Sequence, residues 1–115
     1  MAITSEIIGK LGGTDVEVIP ASGSASGGGN SELVLATIEV PEGETRVAAA
    51  VGVAEGNGNN RNYFSDLILG DSVVAFTSGT VGISAVLTST SDFKIRRERS
   101  YGSDSFDGNV YIVKM

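Results

Sequence analysis

This sequence predicts an all-β fold, an antiparallel β-sandwich of jelly-roll type with about eight strands. Three observations predict it. Apolar residues recur at every second position in one run after another, as a strand with one buried face requires. Turn signals break those runs about every ten residues. Sixteen glycines, with many Ser, Thr and Asn residues, suit short strands and turns better than helices. At 115 residues the chain is one domain, long enough to bury a core.

Taken in order, the elements begin with Ser5, which is placed to cap a short helix through Lys10. Ile7, Ile8 and Leu11 would share one side, and Gly12-Gly13 would end it. An extended arm accounts for the same residues. Either form must dock on something, because so short a helix does not hold alone. Val16 and Val18 then alternate with Asp15 and Glu17 until Pro20 stops a short strand of edge type. Residues 21–31, ASGSASGGGNS, have almost nothing to bury and read as a flexible loop. Residues 1–31 are therefore expected to form an N-terminal segment, and 32–115 the sandwich core.

The stretch from Glu32 to Ala54 carries the strongest pattern. Val34, Ala36, Ile38 and Val40 alternate with polar residues, Pro41-Glu42-Gly43-Glu44 interrupts, and Val47, Ala49, Val51 and Val53 resume. Two alternating runs across a four-residue Pro/Gly turn predict a β-hairpin. A polar loop is expected over EGNGNNRN, then a strand from Tyr63 to Leu69 ended by Gly70-Asp71. Ser72–Thr77 and Thr80–Thr88 read as strands joined by a Ser78-Gly79 turn. In the segment from Asp92 to Ser100, Phe93 and Ile95 alternate with Lys94 and Arg96. The adjacent Arg96 and Arg97 then predict a bulge or a sheet edge. A loop from Tyr101 to Gly108 and a closing strand, NVYIVK, complete the chain.

The composition excludes several chemistries. The chain has no Cys and no His, so thiolate catalysis, disulfides and His-based triads are absent. A Ser–Lys nucleophile would need Lys10, Lys94 or Lys114, and no motif pairs them with a serine. The glycine clusters lack the context of a phosphate cradle. A net charge of −6 opposes general binding to nucleic acid or to anionic membranes. The expectation is a protein that is not an enzyme and has no cofactor. MAITSEIIGKLGG lacks the regions of a signal peptide, and no run reaches the roughly 18 apolar residues of a membrane span. A soluble protein made in the cytoplasm is expected.

Three groups of residues are candidates for contacts. Asp104, Asp107 and Asn109 bring oxygen ligands together as calcium needs, but their spacing does not fit the twelve-residue loop, and a turn at Asp107-Gly108 accounts for them without metal. Lys94, Arg96, Arg97 and Arg99 hold half of the chain's eight basic residues. They read as a nucleic-acid strip, as charge guarding an exposed edge strand, or as a surface meeting an acidic face of another subunit. With Ile7, Ile8 and Leu11 they form the expected assembly interface. Tyr63, Phe64, Tyr101 and Phe106, at loop borders, are placed to stack on a sugar, anchor an interface or simply cap the sandwich ends.

The opening MAITSEIIGKLGG, the Gly/Ser loop and the strand into VPEGETRVAAAVGVAEGNGNN together resemble small virion proteins of tailed bacteriophages. They are most similar to short minor tail proteins of phages infecting actinobacteria. The resemblance covers about the first half of the chain and is one of composition and layout. It implies a β-sandwich repeated in rings on a tail or capsid, with arms reaching neighbours. The implied partners are copies of itself and other virion proteins, and the implied location is the exterior of the particle after synthesis in the host cytoplasm. It carries over no catalytic residue. The other readings are a carbohydrate-binding module that applies Tyr63, Phe64 and the EGNGNN loop to a host glycan, and a capsid decoration protein.

Overall fold

The computed structural model describes residues 16–26, 30–57, 65–98 and 103–115. Eight strands run through them: β1 (Val16–Ser26), β2 (Asn30–Ile38), β3 (Arg46–Asn57), β4 (Ser65–Leu69), β5 (Ser72–Phe76), β6 (Ser78–Leu87), β7 (Ser91–Glu98) and β8 (Ser103–Lys114). They form two four-stranded antiparallel sheets, in the orders β1-β8-β3-β6 and β2-β7-β4-β5. The pairing has a simple rule. β4 pairs with β5, β3 with β6, β2 with β7 and β1 with β8. A chain folded in half at the β4–β5 turn and then rolled into two layers gives this order, which is that of a jelly roll. The expected fold class is the observed one. The helix or arm expected over Ser5–Leu11 lies outside the described residues.

Rolling explains why two expected hairpins do not form. β2 and β3 flank the Pro41–Glu44 turn, yet they belong to different sheets, so residues 39–45 cross between layers instead of folding a ribbon. The local turn is still as read: the Glu44 N–H donates to the Pro41 carbonyl at 3.0 Å, and Gly43 has φ 81°. β5 and β6 likewise sit in different sheets on either side of Thr77, so Ser78-Gly79 is no hairpin turn. Consecutive strands do pair at Gly70-Asp71, where Leu69 faces Ser72. Gly70, at φ 59°, supplies the positive dihedral that a two-residue turn needs at its first position.

Four further expectations are corrected. Pro20 does not end β1, and the Gly/Ser stretch is not all loop: Val16 to Ser26 pairs with β8 along its whole length. Pro20 lies on an edge strand, where a missing N–H is tolerated. The small side chains there are met by large ones, since a Cβ on Gly23 would lie 2.9 Å from the Leu35 Cδ2 and 3.1 Å from the Leu33 Cδ2. The strand carrying Arg96 and Arg97 is no edge either, because β7 lies between β2 and β4. The sheet's irregularity falls across from it, on β2 between Val34 and Ala36. That extra residue puts Val34 outward, half exposed, while Ala36 and Ile38 point inward. Finally, residues 103–108 are strand, not loop.

The core lies between the sheets. Phe93 on β7 meets Phe106 on β8 edge to face, with ring centroids 5.2 Å apart and planes at 83°, so one aromatic contact joins the two layers. Leu67, Leu69, Ile95 and Ile38 fill the core from one sheet, and Ile83, Leu87, Val110 and Ile112 from the other. β3 contributes only small groups: Ala48, Ala50 and Ala54 are fully buried, while Val51 and Val53 are about half exposed. Its alternation is as expected but its phase is not. The valines face out.

Gly52 and Gly108 are paired across β3 and β8, next to the Phe106 ring. A Cβ on Gly52 would sit 2.4 Å from the Asp107 carbonyl oxygen and 2.7 Å from the Phe106 Cζ. Backbone cannot yield as a flexible side chain can, so Gly52→Ala is expected to lower stability by about 1–3 kcal/mol. A urea melt of the purified variant tests this. An unchanged midpoint would mean that the two strands can separate at no cost.

Candidate assembly surfaces

The basic residues of β7 alternate like every other residue on a strand. Lys94 and Arg96 point outward; Phe93, Ile95 and Arg97 point inward. On the outer face of the β2-β7-β4-β5 sheet, Glu32 on β2 and Asp66 on β4 lie in register with Arg96, one on each side. Arg96 donates from Nη2 to the Asp66 Oδ2 at 2.7 Å, and the Lys94 Nζ donates to the Glu32 Oε1 at 2.9 Å. The expected basic strip is thus interleaved with carboxylates of its own sheet. Each such partly exposed pair contributes up to about 1 kcal/mol, so its main effect is to cancel charge on this face.

Arg97 does not join that strip. Its side chain is 0% exposed, as is that of Asp104, and Arg97 Nε donates to the Asp104 Oδ2 at 2.7 Å. Ser65 Oγ donates to the same carboxylate oxygen. Arg97 and Ser65 belong to one sheet and Asp104 to the other, so the cluster ties the layers together at one end of the sandwich. Asp104 thereby leaves the expected group of oxygen ligands. It faces the core, whereas Asp107 faces out and accepts from the Ser22 Oγ at 2.6 Å. Among the described residues no group of three or more His, Cys, Asp and Glu side chains could hold a metal ion.

Phe106 is 1% exposed in its contact with Phe93 and offers no ring to a surface ligand. Ile7, Ile8, Leu11, Tyr63, Phe64, Arg99 and Tyr101 lie outside the described residues. Concavities open on the described surface. One lies between Val53, Glu55, Gly56, Ser78 and Ser105 at an end of the β1-β8-β3-β6 sheet, and another between Glu17, Thr37, Glu39 and Arg46 at the β1/β2 side.

The feature that the sequence reading missed is the outer face of the β1-β8-β3-β6 sheet. Val16, Val113, Val47 and Val86 stand in register across all four strands. Val18, Tyr111 and Ala49 make the next row, Pro20, Asn109 and Val51 the one after, and Val53 lies beyond. Among these, Val18, Val51, Val53 and Tyr111 are 41–52% exposed and Val86 is 66% exposed. No charged side chain falls in the first three rows. The signal was in the sequence as the Val47/Val51/Val53 alternation, but the parity of β3 decides whether those valines are core or surface.

Beyond the first row, Glu44 lies 2.9 Å from the Arg46 Nη2 and 3.6 Å from the Lys114 Nζ. The hydrogen bond from Arg46, with the attraction of both cations, outweighs desolvation and holds the Glu44 carboxyl below its ordinary 4.5.

No family model and no curated protein matches this chain. Among solved structures, a crystal structure of FLHE is similar over 84% of this chain and 96% of its own, at 15% identity and a TM-score of 0.35. A likeness that distant carries no argument about function.

The buried cluster makes a sharp expectation. Asp104→Leu leaves the Arg97 guanidinium buried without this carboxylate, and is expected to cost about 3–5 kcal/mol in a urea melt. Adding Arg97→Met should recover most of that loss, because a buried pair replaced as a unit strands no charge. Strictly additive losses would show that the two side chains do not act together. For Glu44, a lowered carboxyl pKa favours the fold above the ordinary 4.5, and that contribution disappears as pH falls through the lowered value. Carboxyl NMR should therefore show Glu44 titrating below 4.5, and rising towards it in Arg46→Met; no movement would remove Arg46 as the cause.

Proposed function

We propose that this chain is a non-enzymatic structural component of a phage particle, most specifically a minor tail protein that works in multiple copies. The observation that supports it best is the largely apolar outer face of the β1-β8-β3-β6 sheet, whose first three rows carry no charge. Soluble monomers rarely leave a broad contiguous apolar face in water, and such faces mark surfaces that another protein covers. Jelly rolls are used in viral capsids and in lectins, among other proteins, so the fold admits this role without selecting it. The phage assignment itself draws on the resemblance of the first half of the sequence to minor tail proteins.

In such a role no single contact has to be strong. Copies held in a symmetric ring engage one another at high effective concentration, and many modest contacts add to a firm assembly. The charge-cancelled face of the β2-β7-β4-β5 sheet suits this division of labour, being the face that can stay in water.

The test is quantitative mass spectrometry of purified virions from the phage whose genome encodes the chain, with immunogold labelling of intact particles. Several copies per particle, labelled on the tail, are expected. A chain absent from washed virions would overturn the reading, and label confined to the head would move it from tail to capsid.

A further inference from the structure

One side of the sandwich is built from a stretch without charge. Residues 72–91 contain no Asp, Glu, Lys or Arg, in a chain of net charge −6. They form β5 and β6, which are edge strands of the two sheets and lie on the same side of the molecule. We propose that β6 pairs edge to edge with the β6 of a second copy, antiparallel across a two-fold axis near Gly82. Two four-stranded sheets then become one of eight strands. The inference rests on the reading that the chain works in copies, and it names the contact.

A sheet edge presents unpaired N–H and C=O groups, and proteins guard such edges with short strands, proline, charge or a bulge. Three of the four edges here are guarded. β1 carries Glu17 and Pro20, β2 carries Glu32 and the irregularity between Val34 and Ala36, and β5 has only five residues. β6 has ten residues without proline or charge, and its register with β3 is unbroken from Ser78 to Leu87. Two observations show which of its backbone groups are free. The Gly56 N–H is directed towards β6, where it donates to the Ser78 Oγ at 3.1 Å. A Cβ on Gly108 would lie 2.7 Å from the Gly52 Cα, the close approach of a pair without mutual hydrogen bonds, so Gly52 also turns its backbone groups to β6. Even-numbered residues of β3 therefore bond β6, and in the register Ala50↔Ile83 their partners are its odd-numbered residues. Ser78, Thr80, Gly82, Ser84 and Val86 accordingly turn their N–H and C=O groups away from β3. The Ser84 carbonyl agrees, since it accepts from the Ser72 Oγ of β5 at 2.7 Å. Among the described residues no strand pairs with that side of β6.

What completes such an edge is another extended backbone. Charge and strand chemistry select which one. Two molecules of net charge −6 repel each other, and on the β5/β6 side the meeting strands bring no like charges together. The β1 edge of another copy would put Pro20 into the ladder, and its β2 edge Glu32 and the irregularity, so within this chain β6 is the match for β6. With Gly82 opposite Gly82, Ser84 lies opposite Thr80 and Val86 opposite Ser78, and every edge-facing residue of both copies finds a partner. A ladder of that length supplies about ten hydrogen bonds, the number of a standard interface, although the area is small. β5, SVVAF, lies beneath β6 and is itself uncharged, so the second layer meets no charge either. The two apolar outer faces come to lie side by side in one sheet and stay open to a covering partner. A two-fold contact of this kind is closed, as in the commonest homodimers.

Amide hydrogen exchange of the full chain, followed by NMR at high and at low protein concentration, tests the pairing by its parity. At high concentration the Thr80, Gly82, Ser84 and Val86 amides are expected to exchange about tenfold or more slowly than after dilution. The Val81, Ile83 and Ala85 amides, bonded to β3, should be protected at both. Sedimentation equilibrium over the same range should show monomer and dimer. Gly82→Pro removes an edge N–H and, separately, Thr80→Lys adds an edge charge; each should weaken the dimer by about tenfold or more. Val18→Lys, on the opposite edge strand, should leave it unchanged. Circular dichroism verifies that each variant is folded, and the exchange pattern of the unaltered chain decides the matter if one is not. A chain monomeric at every concentration would overturn the pairing. So would a dimer that leaves the even-numbered amides unprotected, or one lost in Val18→Lys but indifferent to Gly82→Pro. Even-numbered amides protected equally at every dilution would mean that another segment of the same chain covers the edge, and the proposal falls. Several copies in virions of a chain whose β6 amides stay open would leave the multicopy reading standing while this contact fails. A β6 dimer of a chain absent from washed virions would do the reverse.

Discussion

A strand in a sandwich can give only one of its two faces to the core, and the face that β3 gives is the alanine one. Much else in this molecule follows from that constraint. With Ala48, Ala50, Gly52 and Ala54 turned inward, the space beside β3 is left for the Phe93–Phe106 contact and the branched residues of the facing sheet. Close packing then leaves no room for a larger group, which is why Gly52 and Gly108 meet without side chains. The same choice turns Val47, Val51 and Val53 outward. The tight core and the apolar outer face are thus two results of one parity.

The two sheets have opposite outer surfaces for a related reason. β7 alternates strictly from Phe93 to Arg97, so its odd residues enter the core and Lys94 and Arg96 leave it. Flanked by β2 and β4, those two cations find Glu32 and Asp66 on their own sheet. Arg97 is the consequence of the same strictness at the strand's end, where the next inward position holds a charge. Burial of that charge is tolerable because Asp104 and Ser65 are built against it. One face therefore has its charges cancelled and remains compatible with water, while the other has few charges and its valines in contact with water. A chain of net charge −6 gains overall solubility from the rest of its surface.

Alternation, turn chemistry and composition were enough for an all-β sandwich of about eight strands. They located the Pro41–Glu44 and Gly70-Asp71 turns and set Phe93 and Ile95 on the face opposite Lys94 and Arg96, because these depend on residues near one another in the chain. The pattern could not say that β2 and β3 part company across their turn. A Pro/Gly turn is equally at home inside a hairpin and between layers. Nor did a Gly/Ser run reveal itself as strand, since Gly23 is stabilised by Leu33 and Leu35, which arrive from another strand. Two adjacent arginines looked like a bulge, and the bulge lies on the neighbouring β2.

The sequence by itself determined the class of fold, the absence of thiol and imidazole chemistry and the acidic balance of the chain, since each is a sum or a period over local residues. Only the tertiary structure decided which parity of β3 is core, which basic residue is buried, and where the uncovered surface lies. Those depend on what stands across the sheet or in the facing layer. Period two tells that a strand has two unlike faces, and it takes the second sheet to choose between them.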